Sequence, residues 1–183
     1  MASYLLGLAA AAEGATEQAL KYLHRAGREA PNLPQLHREQ GKIYLQLDRW
    51  EEAAEAFQKE ISTNNNDAEA WCGLSIAHLR LGRVEESVEA ASRAVALCFD
   101  RADNHFQLGM ALMRYGQPVR AGQAFETCLE LGHETAAVHD WLAAVHEQAT
   151  KDFLRAAQHR RRARELAVNA VPKLPAHHET KSL

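Results

Sequence analysis

The chain has 183 residues, 46% hydrophobic and 25% charged, with 10 Gly and 5 Pro, a balance that excludes disordered, collagen-like and disulfide-rich classes and allows a buried core. Its formal net charge of −3 provides no whole-molecule positive field to draw it to nucleic acid or to an acidic membrane surface. Cys72, Cys98 and Cys128 form neither an even set nor a CxxC pair, which excludes a disulfide framework and a thiolate zinc site and points to a reducing, cytoplasmic setting.

The first apolar run, Ala2 to Ala12, is too short to cross a bilayer and lacks the basic start of a secretory signal. Its residues recur instead, at a period of 34. Gly7 is followed by Gly41, Ser75, Gly109 and Ala143, all small; Leu6 by Gln40, Leu74, Leu108 and Leu142, mostly large. Gly14 continues through Asp48, Gly82 and Gly116, and Ala19 through Ala53, Ser87 and Ala121, with Ala156 one residue late. That slip places one inserted residue near Thr150.

Five units follow: residues 1–33, 34–67, 68–101, 102–135 and 136–169. Apolar residues within a unit recur at helical spacing, as in Leu74, Ala77, His78 and Leu81, then Val84, Val88, Ala91 and Val95 after the break at Gly82. Each unit therefore reads as a helical hairpin whose glycine makes the turn and whose small columns let two backbones approach. The last unit is the most divergent, placing Arg160 where Phe57 and Phe125 stand, which suits a terminal hairpin facing water. Residues 170–183 hold two prolines and no periodic apolar face, and are expected to form a disordered tail.

The stretches WCGLSIAHLRLGRVEESVEAASRAVAL and EQGKIYLQLDRWEEAAEAFQKEI resemble the tetratricopeptide repeat, and the resemblance extends over about residues 2–167. It implies a right-handed α-solenoid of tandem antiparallel helical hairpins that acts through protein contacts rather than catalysis. Departures are Gln40 in a leucine column, Glu60 in an alanine column, and Pro31 as the single proline where one is expected after each second helix.

Enzymatic motifs are missing from the sequence: no phosphate loop, dinucleotide fingerprint or nucleophile elbow occurs, and the glycines fall on repeat turns. His37, His105 and His139 share a column with Trp71. Equivalent positions of stacked hairpins lie about 10 Å apart, too far to share a zinc ion bound at about 2 Å. These histidines are expected to pack, with no metal and no cofactor. The pairs Glu51-Glu52 and Glu85-Glu86 open second helices, where carboxylates complement the helix dipole. Cys128 reads as a core residue, and Cys72 faces the helix surface described next with no neighbour that argues for a reactive thiolate. Arg155, Arg160, Arg161, Arg162 and Arg164 form a basic cluster, read first as a solvated face and second as an acidic-partner or RNA contact.

On a helical wheel of the third unit, Trp71, Leu74, Ser75 and His78 share the packing face, while Glu69, Cys72, Gly73, Ile76, Leu79 and Arg80 lie broadly opposite. That opposite face stays apolar along the chain, and by the resemblance the first helices line the concave surface that holds partner segments. The candidate groove residues are Tyr4, Leu8, Arg38, Lys42, Ile76, Arg80, Phe106, Met110, Arg114 and Trp141, an apolar surface edged by basic groups. Shoulder positions such as Leu79 and Met113 could equally be covered by neighbouring helices, or the tail could fold back over them. Leu108, by contrast, is expected in the core. The carboxylate clamp that grips chaperone tails finds Leu8 and Gly73, or Lys42 and Gln107, where its asparagines belong, and does not fit.

The sequence thus points to a non-catalytic scaffold binding a protein or peptide segment, with no small-molecule substrate, no membrane partner, and nucleic acid disfavoured. Two alternatives stay open. One is a C-terminal module of a larger bacterial enzyme, since Met1 stands inside a first helix and the Ala- and Arg-rich style is similar to repeats appended to alkaline-phosphatase-superfamily phosphohydrolases. The other is an RNA-contacting repeat protein using the terminal arginines.

Overall fold

The computed structural model describes residues 1–31 and 33–170, which form ten α-helices with no strand among the described residues. Two compact units divide the chain, Met1–His133 and a second beginning at Glu134. In the first unit, α1 (Ala2–Ala12) pairs with α2 (Thr16–Glu29), α3 (Leu36–Gln46) with α4 (Trp50–Thr63), α5 (Ala68–Arg80) with α6 (Val84–Leu97), and α7 (Ala102–Arg114) with α8 (Pro118–Glu130). Each hairpin packs on the next, and the first helices α1, α3, α5 and α7 also touch in sequence, so this unit is an all-α solenoid. The second unit is a hairpin of α9 (Ala136–Val145) and α10 (Phe153–Ala170) around a π-helical turn, His146–Thr150. Apart from Ala170, which closes α10, the expected tail lies outside the described residues.

The turn column works as its residue types require. Gly14, Gly82 and Gly116 have φ of +77°, +75° and +79°, and Asp48 takes the same left-handed conformation at +57°. Each closes its first helix with a pair of backbone bonds, such as Arg83 N to His78 O (2.9 Å) and Gly82 N to Leu79 O (3.2 Å). In the second unit the left-handed residue is Lys151, at φ +52°, and Asp152 N donates to His146 O (3.0 Å), one residue further back than elsewhere. The π turn thus absorbs the inserted residue near Thr150.

The small column sets the helix spacing through two phenylalanines. Phe57 of α4 is 1% exposed, and its ring lies between Gly41 of α3 and Gly73 of α5; a Cβ would stand 2.8 Å from the ring at Gly41 and 2.3 Å at Gly73. Phe125 of α8, fully buried, lies likewise against Gly109, where a Cβ would come within 2.5 Å. Burying such a ring contributes about 1.5–3 kcal/mol. Ser75 and Ser87, both buried, bond to each other's carbonyls at 2.8 and 2.9 Å, tying α5 to α6.

Two expectations need correction. Leu108 is only half-buried; the buried positions of α7 include Gly109, Ala111 and Leu112, because the packing centres on the Phe125 ring against Gly109. Gly73 is not on an open face, since it is the seat of the Phe57 ring. Glu60, the departure from the alanine column, is 3% exposed and accepts from Gln35 N at 3.2 Å and Arg38 N at 3.3 Å, satisfying N–H groups left unpaired at the start of α3.

Candidate functional site

The surface formed by α3, α5 and α7 carries a cavity of about 430 Å³ floored by Phe57 and Gly73. Cys72, Ile76 and Leu79 of α5 and Phe106 and Met110 of α7 supply its apolar wall. The four-residue spacing of Cys72, Ile76 and Arg80, and of Phe106, Met110 and Arg114, sets each trio along one helix face. Five of the ten groove residues expected from sequence, Lys42, Ile76, Arg80, Phe106 and Met110, come together here.

The other five lie elsewhere. Tyr4 and Leu8 are half-buried on α1; burial, followed by the charge of Glu39, pushes the Tyr4 phenol above its ordinary value. Arg114 is exposed one turn beyond Met110, and Trp141 is a half-buried residue of α9 in the second unit. Arg38 is not a free groove cation. Its guanidinium holds Asp67 at 2.9 Å, Glu39 at 3.3 Å and Glu69 at 3.4 Å.

Asp67 explains why that pairing is fixed. Its other oxygen accepts Glu69 N and Ala70 N, both at 3.0 Å, so one buried carboxylate caps α5 and anchors α3 beside it. Lys42 is likewise paired, with Glu69 at 2.7 Å and Glu39 at 3.1 Å. Arg101, just before α7, lies 3.8 Å from Glu69 and 3.9 Å from Asp103. Burial alone would raise the Glu69 carboxyl, but the Lys42 hydrogen bond and the charges of Lys42, Arg38 and Arg101 outweigh it and hold the carboxyl below its ordinary value. This end of the groove is therefore a paired ionic network, four carboxylates to three cations, rather than a basic edge. Sequence reasoning missed Arg101 and Asp103, since a loop residue and an exposed first-turn acid carry no periodic signal; only the acidic first-turn position of Asp103 could have drawn attention.

The site offers little to a reaction. Burial, and then the Asp103 charge, push the Cys72 thiol up to about 11, which leaves it protonated and weakly nucleophilic near neutrality. Cys128 is a core thiol, pushed by burial to about 12. The histidine column packs and bonds: His105 Nε2 meets Phe99 O at 2.7 Å, as Trp71 Nε1 donates to Asn65 O at 2.9 Å, while His37 Nδ1 meets Gln40 Oε1 at 3.0 Å. His139 Nδ1 lies 2.8 Å from His159 Nδ1 in the second unit. Among the described residues no group of three or more His, Cys, Asp or Glu could hold a metal ion.

The arginines of α10 are also engaged. Arg162 grips Glu134 with two bonds, 2.7 and 3.0 Å, Arg160 meets Glu147 at 2.8 Å, Arg161 meets Glu165 at 3.0 Å, and Arg155 meets Asp152 at 3.4 Å. No helix among the described residues is long and apolar enough to cross a membrane.

Tetratricopeptide repeat models match residues 1–32 and 36–104. A comparison with curated proteins gives no match. Solved structures similar in fold include MamA from Desulfovibrio magneticus RS-1, at TM-score 0.82 and 21% identity, covering 92% of this chain and 94% of that one. They also include TTC0263, a thermophilic TPR protein of Thermus thermophilus, at TM-score 0.72 and 21% identity over 92% and 91% of the two chains. A third is PilF of Pseudomonas aeruginosa, at TM-score 0.79 and 21% identity over 90% and 74%. With the 34-residue columns, the paired helices and the glycine-seated phenylalanines, these matches lead to one conclusion: the chain belongs to the tetratricopeptide repeat family.

Proposed function

We propose that this protein is a non-catalytic scaffold that holds an extended or helical segment of a partner protein against α3, α5 and α7. The observation that carries the reading is the cavity of about 430 Å³, walled by Ile76, Leu79, Phe106 and Met110 and rimmed by charge, because an apolar hollow of that size has room for a large side chain of a partner. A thiol held near 11, the one cysteine on the cavity wall, argues against nucleophilic chemistry at the same place. The carboxylates beside the arginines of α10 offset the positive field that a phosphate backbone would need there, which disfavours a nucleic-acid surface. The three free thiols fit a reducing, cytoplasmic setting.

Selection of a random peptide display library on the whole chain tests this. Met110→Asp, which sets a charge into the cavity wall, should reduce capture of the selected peptides about thirtyfold or more, the loss of one interface anchor of about 2 kcal/mol. Its unfolding midpoint should stay close to wild type, whereas Leu112→Ala, at a position 2% exposed, should lose about 2–5 kcal/mol of stability. Phe106 is a poorer probe, since its ring also packs 5.8 Å from Phe125. Undiminished capture by folded Met110→Asp would refute the groove.

A further inference from the structure

The two ends of the groove differ in charge. At the end nearer the helix starts, Arg38, Lys42 and Arg101 face Glu39, Asp67, Glu69 and Asp103 at 2.7–3.9 Å. At the other end stand Arg80 and Arg114, equivalent residues in the last turns of α5 and α7. Both are exposed, and neither forms an ion pair or a hydrogen bond with the described residues. The matching positions on α3 and α1 are Gln46 and Ala12, so within the first unit this pair of cations is confined to the two helices that wall the cavity.

Arg80 is also held in place. Its guanidinium carbon lies 5.3 Å from the centre of the Trp50 ring, a contact that holds the group without a hydrogen bond from its N–H donors. A guanidinium takes a carboxylate through two parallel bonds. Cations in a last helical turn also complement the helix dipole, which would give these arginines a purely structural part. Neither donates to a carbonyl of its own last turn, however, as Arg164 does to Arg160 O at 3.2 Å.

Resting on the groove reading above, we infer that the partner segment is acidic and amphipathic, placing one large apolar side chain in the cavity and an Asp or Glu carboxylate against Arg80 and Arg114. Each arginine stands one helical turn, about 5.4 Å, beyond its apolar neighbour Ile76 or Met110. The carboxylate therefore lies about two residues from the anchor in an extended segment, or three to four in a helical one.

The test is the same display selection, run on the whole chain and on Arg80→Glu/Arg114→Glu. Wild-type peptides should carry Asp or Glu within about four residues of a large apolar residue, and should weaken with added salt. They should bind the double variant at least about tenfold more weakly, and the double variant's own selected set should turn to Lys and Arg. Arg114→Glu alone, which breaks no ion pair or hydrogen bond with the described residues, should show part of the loss. Wild-type peptides with apolar anchors and no acidic bias, or an unchanged set from the double variant, would overturn this inference and leave the groove reading standing. Displacement of a weak, unbiased peptide set by dodecanoate would assign the site to small anionic amphiphiles and overturn it as well. Failure to select any peptide, or selection indifferent to Met110→Asp, would remove both readings.

Discussion

Gly73→Ala isolates the contact on which the first unit is built. A methyl at Gly73 would stand 2.3, 2.5 and 2.6 Å from three atoms of the Phe57 ring, where ordinary contact begins near 3.4 Å, a shortfall of about 1.1 Å. The ring cannot retreat freely, because its Cε1 and Cζ also lie close to Gly41, where an added Cβ would stand 2.8 Å away. Overpacking of this kind costs about 1–3 kcal/mol, and a blocked ring belongs at the upper end. Against it stands a gain of about 1 kcal/mol in helix propensity when alanine replaces glycine. The expected net loss is about 2 kcal/mol, a fall in Tm of about 4–8 °C for a chain of this size. Gly109→Ala should cost less, since a single helix glycine abuts Phe125. Gly27→Ala, whose methyl meets one flexible Leu36 carbon at 3.1 Å, should be neutral or stabilising. The assay is urea and thermal unfolding of Gly73→Ala, Phe57→Leu and the double variant. Relief of the clash predicts that the double variant is more stable than the sum of the single losses by about 0.5 kcal/mol or more, on the order expected for touching residues. A rise in Tm for Gly73→Ala, or strict additivity in the cycle, would refute the claim that the ring is clamped between two glycines.

Two further outcomes follow from single residues. Glu60→Ala restores the residue type of its column yet removes the acceptor for Gln35 N and Arg38 N, and should destabilise by about 1–2 kcal/mol in urea unfolding; an increase in stability would show that the alanine column outweighs the cap. His159 has its imidazole pKa held below 6.5 by burial and by the nearby His139, His146 and Arg155. The unfolded chain then binds the proton more readily, so stability rises with pH between the lowered value and 6.5 and is lost as pH falls through that window. Urea midpoints at about pH 5.5 and 7.5 should differ less in His159→Gln than in wild type, and an equal difference would exclude this group as a source of acid sensitivity.

The fold was legible because each repeat solves the same local problem with the same residue types. A left-handed turn demands Gly or Asp at the column of Gly14, Asp48, Gly82 and Gly116, and a phenylalanine demands a glycine across from it. Even the inserted residue near Thr150 could be counted from the column slip, though its form as a π turn could not. Half of the candidate groove was legible for a related reason: residues spaced by four share a helix face, so Cys72, Ile76 and Arg80 had to align with Phe106, Met110 and Arg114. The state of the charges was not. Arg38 and Lys42 read as free cations along the sequence, and only the approach of α5 brought Asp67 and Glu69 within 2.7–3.4 Å of them. Burial of Leu112 rather than Leu108 likewise depended on where the Phe125 ring came to rest. Periodicity determines which residues share a face; which of them stay unpaired and exposed depends on distances between different helices, and those distances exist only once the hairpins have stacked.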